Sequence, residues 1–213
     1  MIGTFSTVSC ERNTKIKVRT VPGHFAMTYS HSTAFVDSME VKLNQRMAME
    51  AATILADSYA YEQQIDTIVT MDGTEVLGGF VAMNLARKDM YSLNQDADMH
   101  VVSPELEHAS QMIFRDNLQP LIKGKKTLIL CGSLLTGNKV RKAIECVEWY
   151  GGTVVGIAAV FSLHDVLDGI PVRYLFGAKE FPDFQNWDAA ACPFCRAGQR
   201  VDALANCYGY SKV

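Results

Sequence analysis

Between about residues 38 and 61 apolar side chains return every three or four positions. Leu43, Met47, Ala51, Ile54 and Leu55 share one stripe, with Lys42, Gln45, Arg46 and Glu50 on the other faces. That spacing predicts an amphipathic helix. Residues 65–71 then form a β-rich run that ends in Asp72-Gly73-Thr74-Glu75, and Leu77, Phe80, Val81 and Leu85 stripe a second helix. Gly78 and Gly79 inside it each weaken the helix by about 1 kcal/mol relative to Ala. Close backbone packing or ligand approach would offset that loss; a loosely wound start is the alternative.

Further along, residues 98–102 read as a short strand ended by Ser103-Pro104, and 104–118 are polar and irregular, as expected of a loop. The turn Lys123-Gly124-Lys125-Lys126 feeds a strand over 127–130. Val140, Ala143, Ile144 and Val147 line one face of the next helix, while Arg141, Lys142, Glu145 and Glu148 face water. Gly151-Gly152 stops that helix, and residues 153–161 form the next strand. Residues 1–36 are polar and mixed, with strand character only at 16–21 and a turn at Pro22-Gly23.

Strand–helix–strand succession predicts parallel pairing with right-handed crossovers. The expected fold is therefore α/β: one domain over 1–213, with a mainly parallel sheet flanked by helices and a small hood from the terminal segments. The tail from Ala178 onward is expected to be an add-on within that domain. Ligands of such sheets bind at the carboxyl ends of strands, where the loops 72–75 and 131–139 fall.

Composition narrows the function classes. The chain has 213 residues, 48% hydrophobic and 20% charged, which is ordinary for a soluble globular protein. A net charge of −3 gives no reason to expect nucleic acid. Small anions remain possible ligands, because backbone amides bind them without net positive charge. No apolar run reaches the roughly 18–20 residues of a membrane span, and the N-terminus lacks a signal-peptide pattern. Six scattered cysteines do not form a disulfide framework, so a cytoplasmic location is expected.

The chemistry concentrates in residues 127–140, Thr-Leu-Ile-Leu-Cys-Gly-Ser-Leu-Leu-Thr-Gly-Asn-Lys-Val. Strand formers run into a small-residue loop and straight into an amphipathic helix, an arrangement that aims amides and a helix N-terminus at a phosphate. Ser133 and Thr136 offer hydroxyls, residues 135–139 (Leu135, Thr136, Gly137, Asn138, Lys139) offer amides, and Lys139 a charge. A plain strand-to-helix turn is the competing reading.

These pieces resemble the type I phosphoribosyltransferases, most closely the orotate phosphoribosyltransferase-like branch. Leu128-Ile129-Leu130 matches the family's strand, Thr136-Gly137 its loop, Arg141-Lys142-Ala143-Ile144-Glu145 its helix, and 151–157 the turn and strand that follow. Ile68 to Glu75 falls where the family binds pyrophosphate, and 31–37 is similar to its N-terminal Ser-x-x-Tyr stretch. The resemblance spans roughly residues 24–176. The acidic pair that holds the ribose hydroxyls in this family falls on Cys131-Gly132.

The resemblance implies transfer of ribose 5-phosphate from phosphoribosyl pyrophosphate to a nitrogenous base in nucleotide metabolism. It implies Mg²⁺ and a homodimer, with residues 133–139 on the 5′-phosphate and Asp72, Gly73, Thr74 and Glu75 on the pyrophosphate. Asp72 and Glu75 could also stand on the metal side, replacing the lost acids; alternatively Thr74 caps the following helix. Arg115 would come from a loop that closes over the site, with His108 a weaker candidate. A non-catalytic relative that binds phosphoribosyl pyrophosphate or a nucleotide monophosphate and reports its level is the alternative.

Cys192-Pro193-Phe194-Cys195 offers two thiolates at the spacing of one edge of a tetrahedral zinc site. Four ligands are needed, and Cys10, Cys131, Cys146 and Cys207 are scattered, so reduced structural cysteines and no metal are expected, with zinc the alternative. His24 and His31 read as polar surface histidines, or as base-edge contacts if the site lies near them.

Overall fold

A computed structural model describes residues 2–87, 91–106 and 111–213. Among them, the strands β1 (Ser6–Cys10), β2 (Asn13–Ala26) and β3 (Ser30–Asp37) precede α1 (Met39–Leu43) and α2 (Gln45–Ala60). Then follow β4 (Thr67–Thr70), α3 (Glu75–Leu85), β5 (His100–Val102), β6 (Glu105–Leu106), β7 (Met112–Ile113), β8 (Lys126–Leu134), α4 (Asn138–Trp149) and β9 (Thr153–Ser162). The chain ends with β10 (Val166–Leu167), β11 (Ile170–Phe176), β12 (Asn186–Asp188), α5 (Pro193–Arg196), β13 (Ala203–Asn206) and β14 (Gly209–Lys212).

The central sheet runs β10-β11-β9-β8-β4-β5, parallel except for the β10–β11 hairpin. Its central strands β4, β8 and β9 are mostly buried because both faces are covered. Alternate residues go to opposite sides. Ile68, Leu128, Leu130, Ala158 and Val160 pack with Ala51, Leu55, Leu77 and Val81 of α2 and α3. Val69, Ile129, Cys131, Ile157 and Ala159 pack with Val140, Ala143 and Val147 of α4. The α/β fold and its mainly parallel sheet are as the periodicity implies.

Gly78 settles one open question. A Cβ there would lie 2.6 Å from Thr70 Cγ2, so this glycine lets α3 pack closely on β4, whereas a Cβ at Gly79 would point into open space.

Three expectations need correction. The helix over 38–61 is two helices: Asn44 is extended (φ −78°, ψ 117°), and its side chain caps α2 by accepting from the Met47 N–H. The break turns Leu43 out to solvent and buries Lys42. Residues 1–36 hold three strands, and β2 passes through Pro22-Gly23 at a register shift rather than turning there. A bulge tolerates a proline because no ladder donor is needed at that point. Within 104–118, β6 pairs with β7 and Phe114 is buried.

The hood is also larger than expected. β1, β2 and β3 join β12, β13 and β14 from the tail in a second sheet, ordered β12-β3-β2-β13-β14 with β1 on β2. The tail is thus woven into the N-terminal strands, with Val21, Phe25, Ala203 and Ala205 forming their shared core. No helix among the described residues is long and apolar enough to cross a membrane.

Candidate functional site

A cleft of about 200 Å³ opens between the hood and the carboxyl ends of the central strands. Its floor is Gly132 to Gly137 with Lys139, and its roof includes Met27 to Ser30 and Ala34 to Met39. Phe161 and Phe184 supply apolar wall.

The floor is held from outside. The Leu135 carbonyl lies 2.6 Å from His164 Nε2, and the Thr136 carbonyl accepts from Arg141 Nη1 at 3.2 Å. Arg141 is itself anchored by Asp168 at 2.7 Å. Fixing the carbonyls on one side leaves the amides free to point to the other. Among the described residues no protein acceptor takes the backbone N–H of Leu135, Thr136, Gly137, Asn138 or Lys139. Gly137 has φ +82°, and a Cβ on it would meet Leu167 Cδ1 at 2.7 Å, so both conformation and space require glycine. Ser133 and Thr136 line the cleft; Asn138 opens α4 beside the lining rather than in it.

Asp72 stands at the other side of the floor. Its φ of +62° is unusual for a residue with a side chain, and three contacts hold it. Its carboxylate is paired with the Lys139 ammonium and accepts the Gly132 N–H at 3.2 Å. Its carbonyl accepts from Lys42 Nζ at 2.9 Å. The Lys42 ammonium also donates to the Cys207 carbonyl at 2.6 Å, tying α1 to the β13–β14 turn. Burial pushes the Lys42 amine below its ordinary pKa, with Cys207 and Asp72 opposing. Burial would also lower Lys139, but the Asp72 carboxylate outweighs it and holds that amine above the ordinary lysine value.

This arrangement accounts for Cys131-Gly132. Cys131 faces the α4 core, fully buried, and burial pushes its thiol well above the ordinary range. A Cβ at Gly132 would lie 3.1 Å from Asp72 Cβ. An acid does stand beside this pair: the Asp72 carboxylate, carried at the end of β4, lies against the Gly132 backbone.

The rest of the 72–75 loop is less directed at the cleft. The Thr74 hydroxyl donates to the Met71 and Leu130 carbonyls at 2.8 and 3.0 Å, so its side chain does not cap α3. Glu75 accepts from the Ser103 hydroxyl at 2.9 Å and lies outside the cleft lining, as does Gly73. Arg115, after β7, pairs with Glu105 at 2.5 Å and is also outside the lining. His108 lies outside the described residues. Sequence reasoning missed Lys42, placed on a solvent face by its helix register.

The two histidines do not fit their expected roles. His24 is fully buried, and neither it nor His31 lines the cleft. Both meet Cys192 and Cys195 in one cluster.

A mainly parallel sheet with an amide-lined loop at its carboxyl edge, roofed by terminal strands, is the phosphoribosyltransferase architecture. A phosphoribosyltransferase from Corynebacterium diphtheriae superposes with a TM-score of 0.52 at 20% identity, over 76% of this chain and 91% of that one. Within that class, the chain is similar in sequence to the orotate branch. An orotate phosphoribosyltransferase of Thermus thermophilus is 27% identical over 185 residues, 85% of this chain and 92% of the relative. Transcriptional regulator GfcR of Methanocella arvoryzae is 22% identical over 150 residues, 66% of this chain and 70% of the regulator. No family model matches the chain.

Proposed function

We propose that this chain transfers ribose 5-phosphate between pyrophosphate and a nitrogenous base, with phosphoribosyl pyrophosphate as donor. The observation that carries the reading is the run of amides from Leu135 to Lys139, unclaimed among the described residues, at the N-terminus of α4 beside the cleft. Such a run binds a phosphate dianion through several N–H donors and the helix dipole. Similarity to orotate phosphoribosyltransferases over most of both chains supports the same reading.

In this reading residues 133–139 hold the 5′-phosphate, and the Ser133 and Thr136 hydroxyls complete its shell. The Asp72 carboxylate, beside Gly132, accepts from the ribose hydroxyls and faces the positive charge that develops on an oxocarbenium-like ribosyl. Lys139 pairs with that carboxylate, Lys42 holds the Asp72 backbone through its carbonyl, and the two ammonium groups make the floor electropositive where pyrophosphate departs. Positioning and electrostatic stabilisation are then the protein's contribution. Arg115 would reach the pyrophosphate only if the β6–β7 hairpin moved toward the cleft.

A protein-held Mg²⁺ fits poorly. The carboxylates lining the cleft, Asp37 and Asp72, are already paired, Asp37 with Arg19 at 2.5 Å and Asp72 with Lys139. Mg²⁺ keeps several waters and favours phosphate oxygens, so it would arrive as part of the substrate. The homodimer belongs to the same reading and rests on resemblance alone.

Turnover tests the proposal. The purified chain, given phosphoribosyl pyrophosphate, Mg²⁺ and a panel of pyrimidine and purine bases, is expected to release pyrophosphate with at least one base. Binding at roughly 100 times the dissociation constant would add about 2.7 kcal/mol of stability. That stabilisation with no product from any base would contradict catalysis and favour a regulator, the role named for the Methanocella relative.

A further inference from the structure

We propose that His24, His31, Cys192 and Cys195 form a tetrahedral zinc site that clamps the hood at the root of the loop over the cleft. Their ligand atoms all lie within 4.8 Å of one another. His24 Nε2 is 3.0 Å from His31 Nδ1, 3.4 Å from Cys192 Sγ and 3.7 Å from Cys195 Sγ, and Cys195 Sγ is 3.3 Å from His31 Nδ1. Zinc–nitrogen and zinc–sulfur bonds of about 2.0 and 2.3 Å at tetrahedral angles give ligand separations of roughly 3.3–3.8 Å. Three nitrogen–sulfur edges, at 3.3, 3.4 and 3.7 Å, fall in that range, and the nitrogen–nitrogen edge of 3.0 Å is slightly shorter.

The hydrogen bonding of His24 points the same way. His24 Nδ1 lies 3.0 Å from the Arg200 carbonyl, an acceptor only, so Nδ1 carries the proton and Nε2 a lone pair. That single lone pair faces one nitrogen and two sulfurs at once. A hydrogen bond would satisfy one of them, whereas a cation at the centre satisfies all four groups. A carbonyl on the far ring nitrogen is the usual way a ligating imidazole is oriented. The His24 backbone is fixed as well, exchanging hydrogen bonds with Asp202 at 2.9 and 2.8 Å.

Two thiolates and two imidazoles in a closed tetrahedron select zinc and leave no position for substrate, so the role is structural. His24 and Cys192 are fully buried, with Phe194 edge-on to the His24 ring at 5.2 Å and Trp187 beyond it at 5.7 Å. His24 comes from β2, His31 from β3, and the cysteines from the turn around α5. The chain between the histidines includes Met27, Thr28, Tyr29 and Ser30, which roof the cleft. The metal would therefore hold both ends of that roof segment.

Metal analysis of the tag-free chain, grown with zinc, reads this without any activity assay. The expected result is roughly one zinc per chain, with at least a tenfold loss in a Cys192→Ser/Cys195→Ser chain. Should that variant fail to fold, cobalt exchange into the wild type decides: tetrahedral cobalt–thiolate absorption is expected. Removing zinc should also speed amide hydrogen exchange across residues 24–31. Wild type purified without zinc, lacking the cobalt spectrum, or carrying a Cys192–Cys195 disulfide would overturn the site; unchanged exchange on metal removal would overturn the clamp.

Discussion

Asp72 is where the residue-scale account is most exposed to test. It holds a left-handed backbone, an ion pair with Lys139 and the Gly132 amide together. Asp72→Asn is expected to lower turnover about a hundredfold, by analogy with removing one group from a preorganised electrostatic site. Because Lys139 is partly exposed, the stability loss in urea denaturation should be only about 1–3 kcal/mol. The pair's sign follows from Lys139, whose folded pKa is raised. The lysine's contribution is fully present below the unfolded lysine value and lost as pH rises through the raised one, so the difference between mutant and wild type should shrink in strong alkali. An unchanged turnover number would remove Asp72 from the site. In the sequence, Asp72 was visible as a candidate, since it ends a β-run before a helix. Lys42 was not: its burial depends on Asn44 breaking the helix, and the stripe through Leu43 pointed the other way.

At the scale of elements, the strand-to-helix turns of the central sheet were the most legible and the terminal strands the least. The 127–140 segment is continuous in sequence, so its strand, loop and helix can be read locally. β2 cannot, because Pro22-Gly23 punctuates it and only pairing with β3 and β13 keeps it extended. The same contrast separates two adjacent glycines in α3. Gly78→Ala is expected to destabilise by about 1–3 kcal/mol, since its methyl would press into Thr70. Gly79→Ala meets open space and should stabilise by up to about 1 kcal/mol through helix propensity. Denaturation midpoints moving in the same direction for both would contradict the packing of α3 on β4.

For the whole molecule, the sequence order conceals the closest neighbours. The tail after Ala178 looks like an appendage, yet β12 pairs with β3 and β13 with β2, placing Cys192 and Cys195 against His24 and His31. The Cys-x-x-Cys pair read as reduced structural cysteines, with zinc the alternative, because the two histidines that meet it lie over 160 positions away and only the assembled hood brings them together. The cleft is likewise a product of two sheets: the floor belongs to one, the roof to the other. The central claim concerns that floor, and backbone ¹⁵N–¹H spectra recorded during titration with ribose 5-phosphate test it most directly. Saturable shifts largest at the amides of Leu135 to Lys139 are the predicted result. Saturable binding that leaves those five amides unmoved while others respond would contradict it.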